Sequence, residues 1–352
     1  MNAALPGGTL RPGGYGRPVI RVGLQLPNFT VPGVGDDELF ETVARVAAAG
    51  ERSGFDSVWV MDHFYQLPLL GPPDANMLES YTLLGGLATR TTTARLGTLV
   101  TGVTYRNPAI LAKQVTTLDV LSRGRAVLGI GAAWFEQEHD GLGVAFPPVA
   151  ERMDRLEEAL RICRAMFRDE RPSFEGRYYR VHDAINRPAP VQVGGPPILV
   201  GGSGEKRTLP IAVRHADALN LTTGREDIPR KVALLTELCE RVGRDPATLN
   251  TTWLASAVVG STASEAESVR DAVLEARGLR WSDLDDGTRQ ALTSRILIGT
   301  PESIAQEVLD VAIAPGLDGV ILNFPANSAD ADAVAAVGAA VRAAISARPV
   351  SA

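Results

Sequence analysis

The chain has 352 residues, a net charge of −6 and a pI near 5.4. That balance argues against a nucleic-acid or anionic-membrane surface, while a local basic cluster could still hold an anionic cofactor. The length exceeds one ordinary domain but suits a single α/β barrel with insertions, able to bury a sizeable core.

Residues 1–20, MNAALPGGTLRPGGYGRPVI, are rich in Gly and Pro and lack the apolar centre of a signal peptide, so 1–19 is expected to be a flexible tail. One domain is expected from 20 to 348. Apolar runs place strands near 20–26, 56–61, 95–101, 125–131, 197–201, 217–222, 251–259 and 318–324. Between and after them, helical patterns fall near 37–52, 79–90, 108–121, 150–168, 204–214, 228–242, 301–313 and 329–347. Asn107-Pro108 and Thr300-Pro301 each set a capping side chain before a proline at the first helical position. Three stretches, GFDSVWV, HADALNL and GLDGVIL, share one handover: a helix pattern, a small or turn residue, an Asp, then a short apolar run. This βα repeat favours a closed (β/α)8 TIM barrel, with an open doubly wound sheet as the rival.

Residues 132–149 and 260–299 follow the fourth and seventh strands, which puts these insertions on the C-terminal face as candidate lids; 169–196 precedes the fifth strand and is expected on the opposite side. Cys163 and Cys239 lie on apolar helix stripes without metal-ligand spacing, so both are expected to be buried, reduced thiols, and no metal site is expected. The C-terminal ADAVAAVGAAVRAAISA is too Ala-rich for a membrane span and contains Arg342. A cytoplasmic protein acting on small molecules is the expectation.

The second strand, VWVM, ends on Asp62 and His63. Two ionisable groups there cost desolvation unless water or a ligand meets them, and a barrel puts its reacting groups at that end. An imidazole titrates near neutrality, which suits acid or base work beside a carbon undergoing hydride transfer. After the fifth strand comes Gly201-Gly202-Ser203-Gly204-Glu205-Lys206-Arg207, where small residues leave backbone N–H groups open to an anion and Lys206 and Arg207 add charge. Thr101-Gly102 ends the third strand, and Gly there permits a bulge that brings backbone near a flat ring. The fourth strand leaves through Gly131-Ala132-Ala133, too small to block a ring, and then presents Trp134, which either stacks on substrate or packs the lid.

These pieces resemble the bacterial luciferase-like superfamily of flavin and deazaflavin oxidoreductases, in its coenzyme F420 branch. The markers are GLQLP (23–27), GFDSVWVMDHF, LGTLVTGVTYRNPAILAKQVTTLDVLSRGR, LGIGAAW, PILVGGSGEKRTL and GTPESIAQEV leading into GLDGVILNF, across 20–347. The resemblance implies a TIM barrel with the deazaflavin at its C-terminal mouth, Asp62 contacting the ring and His63 acting at the reacting carbon. It implies that Val100, Thr101 and Gly102 form a bulge, often with a non-proline cis peptide, behind the ring. Ala132 and Ala133 would supply backbone contacts, and Gly202, Ser203, Gly204, Lys206 and Arg207 the phosphate segment. Members that oxidise sugar phosphates carry a catalytic Glu where Trp134 aligns; the nearest carboxylates here are Glu136 and Glu138. No role transfers to His139 or His182, which are expected to be structural or solvated. Cofactor exchange within one barrel leaves an FMN-dependent monooxygenase as the alternative, and members are often homodimers.

Overall fold

The computed structural model describes residues 20–347 apart from 69 and 277; the expected tail, 1–19, and residue 348 lie outside the described residues. Eight parallel strands close into a barrel: β1 (Val22–Leu26), β2 (Ser57–Val60), β3 (Arg95–Thr98), β4 (Ala126–Gly131), β5 (Ile198–Gly201), β6 (Ala218–Leu221), β7 (Asn250–Val259) and β8 (Gly319–Asn323). Each pairs with the next, and β8 returns to β1 with Gln25 opposite Asn323, which excludes the open sheet. Helices such as Asp36–Ser53, Pro108–Leu121 and Val149–Arg168 pack outside the barrel. Asn107 accepts from the Ala109 amide and Thr300 from the Ser303 amide, as the Asn-Pro and Thr-Pro pairs predict. No helix among the described residues is long and apolar enough to cross a membrane.

The Asp of each repeated handover has one job. Asp56, opening β2, accepts from the Arg21 and Val22 amides of β1 at 2.8 and 3.2 Å. Asp217, opening β6, accepts from the Ile198 amide of β5 at 2.7 Å, and Asp318, opening β8, from the Thr251 amide of β7 at 2.7 Å. Backbone N–H groups at the strand starts that lack a ladder partner thus find a carboxylate.

Inside the barrel, the Trp59 indole is fully buried and donates to the Ser57 hydroxyl at 2.9 Å. Gly23 on β1, Gly97 on β3 and Gly129 on β4 surround it; a Cβ at the first two would lie 2.9 and 2.8 Å from indole atoms. Large on one strand and absent on its neighbours is how a small barrel fills its interior.

Three expectations need correction. The helix expected from 204 starts at Thr208, so Gly202–Arg207 are loop and turn. Residues 169–196 do not stay at the floor: their hairpin, Phe174–Glu175 with Arg180–Val181, climbs the wall until the Tyr179 hydroxyl donates to the Val103 carbonyl at 3.4 Å. Glu158 on helix Val149–Arg168 draws it up by accepting from the amides of residues 177, 178 and 179. The 260–299 insertion is not a bare lid either. It forms helices Ala263–Glu275 and Asp286–Thr293 and a strand, Ile296–Gly299, that pairs with the outer half of β7.

Candidate active site

The C-terminal mouth gathers the predicted residues. His63 follows β2, and its Nδ1 lies 2.7 Å from Oε1 of Glu138 on the short helix Glu136–Leu142. Glu138 is fully buried and also accepts the Tyr105 hydroxyl and the Phe64 amide, the latter at 2.8 Å. Burial works to raise its carboxyl, but the His63 imidazole, the Tyr105 hydroxyl and the Phe64 amide outweigh it and hold the carboxyl below the ordinary value. An ionised acceptor fixes the imidazole with its proton on Nδ1, leaving Nε2 outward. The Tyr105 hydroxyl, buried and donating to Glu138, is pushed far above the ordinary phenol value and stays protonated.

Trp134 is 61% exposed and meets the His63 ring edge-on at 5.7 Å, so it stands in the mouth rather than under a lid. His139 is structural: its Nδ1 meets the Phe135 carbonyl at 2.7 Å, its Nε2 meets the Thr104 hydroxyl at 2.7 Å, and its ring stacks on Tyr105. His182 is exposed.

Asp62 sits behind the mouth, 3% exposed. Arg106 grips it with two bonds of 2.6 and 3.0 Å, and the Ser80 hydroxyl and Gly102 amide donate at 2.6 and 3.2 Å. Burial pushes this carboxyl up and the guanidinium opposes it. With four donors on two oxygens, the pair is ionic. Asp62 therefore offers a ring no free oxygen, unlike the expectation; it acts on the mouth by holding the Gly102 amide.

The segment it holds is the expected bulge. The Leu99–Val100 peptide is cis, and Thr101–Gly102 then resumes pairing with β4. Thr98 donates to the Gly129 carbonyl at 2.8 Å, so Thr101 donates to Thr98 and Tyr81 to Thr101. Val100 lies across Gly131 and Gly201, where an added Cβ would come within 2.8 and 2.7 Å of its methyls. Ala133 takes a left-handed φ of 59°, uncommon for a residue with a side chain, which turns the chain out of β4 into the mouth.

In the loop after β5, Gly202 has φ 131° and its amide donates to the Asn220 carbonyl at 2.9 Å, while the Ser203 hydroxyl accepts from the Thr222 amide at 2.8 Å. Among the described residues the Ser203 and Gly204 amides meet no acceptor. Of the two cations expected there, Arg207 pairs with Asp154 at 2.6 Å and Lys206 is exposed. Because the helix begins later than expected, both residues lie on the turn before it.

The family model for luciferase-like monooxygenases matches residues 20–318. This chain belongs to the luciferase-like family. It is 39% identical over 162 residues to an F420-dependent glucose-6-phosphate dehydrogenase of Kineococcus radiotolerans, covering 44% of this chain and 47% of that one. The chain spans about half the length of the curated relatives it matches. A solved F420-dependent secondary alcohol dehydrogenase, in complex with an F420-acetone adduct, shares 21% identity over 90% of this chain and 99% of that one, with a TM-score of 0.70. A monooxygenase from Streptomyces bottropensis, also at 21%, covers 90% and 97% with a TM-score of 0.74. At that identity the likeness is one of fold.

In this luciferase-like barrel, donors without a partner suit an anionic group. Gly131 and Gly201 leave the room that the Val100 side chain takes up, and among the described residues the Ser203 and Gly204 amides are unclaimed. Arg152, at the N-terminal turn of helix Val149–Arg168, is 8% exposed, and its Nε and Nη1 are buried without a partner. A buried guanidinium lacking an acceptor is an expense that a bound anion or water removes. The sequence reading missed Tyr105, Arg106 and Arg152 and gave Glu138 no role. Arg152 follows a proline pair at a helix start, a readable signal; the reach of Glu138 across to His63 has none, because it depends on the lid's fold.

Proposed function

We propose that the protein is an F420-dependent oxidoreductase that moves a hydride between F420 and a small organic substrate, with His63 as proton donor or acceptor. One observation carries the reading: an imidazole at the barrel mouth, held 2.7 Å from a buried carboxylate, beside the bulged 99–102 segment. The F420-dependent relatives support the choice of cofactor. F420, when bound, supplies a ring carbon that accepts or donates hydride.

The chain's own residues supply the rest. Val100, Thr101 and Gly102 would back the ring, Ala132 and Ala133 would lie alongside it, and the Gly202–Gly204 loop would receive the anionic part, with the unpartnered Arg152 guanidinium as a further donor. In alcohol oxidation His63 Nε2 takes the hydroxyl proton as hydride leaves carbon; in carbonyl reduction it returns one to oxygen. Glu138 balances the imidazolium in either direction. Glucose 6-phosphate is one substrate to test, with Trp134 speaking against it, since sugar-phosphate-oxidising members place a Glu there.

Titration with F420, FMN and nicotinamide nucleotides, followed by an acceptor and alcohol screen, tests the reading. F420 binding with turnover is expected; tight FMN binding with no response to F420 would overturn it. The family's monooxygenase description favours FMN with oxygen as the second reading, and oxygen consumption with reduced FMN would identify it.

A further inference from the structure

We propose that Lys231 is the positioning residue of the anion loop after β5, a role that rests on the reading of that loop as the cofactor's anion site. Lys231 lies on helix Ile228–Arg241, which follows β6, and is 6% exposed. Its Nζ donates to the Ser203 carbonyl at 2.9 Å and to Glu205 Oε1 at 2.6 Å. Glu205 is also held by Arg230, which in turn binds Asp227. The Ser203 hydroxyl is engaged separately by the Thr222 amide, so the loop is tied at both backbone and side chain to the β6 side of the barrel.

The consequence follows from peptide geometry. In a trans peptide the C=O of one residue and the N–H of the next point to opposite sides. With the Ser203 carbonyl drawn toward Lys231, the Gly204 N–H is turned away from helix Ile228–Arg241, outward and without an acceptor. A Cβ at Gly204 would lie 2.9 Å from the Thr208 hydroxyl, so a larger residue there would press the loop against the helix start. The buried ammonium also adds a positive charge behind the loop, partly offset by Glu205. Lys231 thus acts on the loop from behind, from a helix that follows another strand.

The test uses the full-length protein and the variants Lys231→Met and Lys231→Arg. Deazaflavin or FMN affinity and amide exchange over residues 202–206 would be measured, the latter with and without inorganic phosphate. Lys231→Met should weaken the bound cofactor about tenfold or more. The loss should fall on the cofactor's Kd and KM rather than on kcat at saturation, and Lys231→Arg should restore most of it. Phosphate should slow exchange over 202–206 in the wild type but not in Lys231→Met. Unchanged cofactor affinity in Lys231→Met would overturn the proposal. So would a wild type whose 202–206 amides ignore phosphate, or a loss in kcat and folding midpoint together that Lys231→Arg does not rescue. Binding of neither cofactor by the wild type would defeat the functional reading, and the phosphate arm would still decide the role of Lys231.

Discussion

The proton between His63 and Glu138 rests on the imidazole because the carboxylate already takes a hydroxyl and an amide. Replacing His63 by Ala should leave cofactor affinity largely intact while lowering the hydride-transfer rate by ~100-fold or more, measured in single-turnover absorbance traces. Glu138→Gln keeps the shape but removes the charge that orients and balances the ring. Because the folded-state carboxyl is depressed, Glu138 contributes stability at and above the ordinary glutamate value of about 4.3, and that contribution is lost as pH falls through the depressed value. Wild type should therefore exceed Glu138→Gln by about 2 kcal/mol in denaturant titrations at pH 7 and 5, with the gap closing in stronger acid. Equal stability at pH 7 would show that the buried pair adds nothing. Residue identity at the strand end was readable, since a strand that stops on Asp-His invites a question. The division of labour was not: Asp62 turns back toward Arg106 and His63 faces the mouth, a matter of side-chain direction that no spacing encodes.

Among elements, those with strong periodicity matched their expected ranges closely, because amphipathic stripes and apolar runs are local signals. The 260–299 insertion was legible in part. Thr262 accepts from the Glu265 amide while Glu265 accepts from the Ser261 amide, so a capping pattern stood in STASEAES ahead of a helix. The pairing of Ile296–Gly299 with β7 was beyond local reading, since it depends on a partner some forty residues earlier in the chain. The packing of Trp59 against glycines makes a direct claim on one element. A Cβ at Gly129 would lie 1.9 Å from the Thr98 carbonyl, which is backbone and cannot swing away. Gly129→Ala should cost about 3 kcal/mol or leave the protein insoluble, read from denaturant midpoints or soluble yield.

For the whole molecule, closure was the question the sequence left open, and it is answered where β8 meets β1: Asn323 donates to Gln25, which donates to the Leu99 carbonyl, at 2.8 and 3.1 Å. A contact spanning nearly the full chain has no local trace. The two thiols report on the integrity of this closed body. Burial pushes the Cys163 thiol up to about 12 and raises that of Cys239 as well. Neither should react with a thiol reagent at pH 7 in the native state, and both should react at once in denaturant. Native labelling at the rate of a free peptide would contradict the burial. At the floor, Asp56→Ala, Asp217→Ala and Asp318→Ala should each lower stability by about 1–2 kcal/mol without touching kcat. Set on separate strands, their effects should add in the triple variant.

Those three carboxylates also say where the ring can be reopened. Each fastens an even-numbered strand to the odd one before it, in the pairs β1–β2, β5–β6 and β7–β8. A circular permutant with its new ends at residues 243 and 244, ahead of β7, keeps Asp217 with Ile198 and Asp318 with Thr251 on unbroken chain. One cut inside 202–207 would part the first of these couples and leave it to find itself through space.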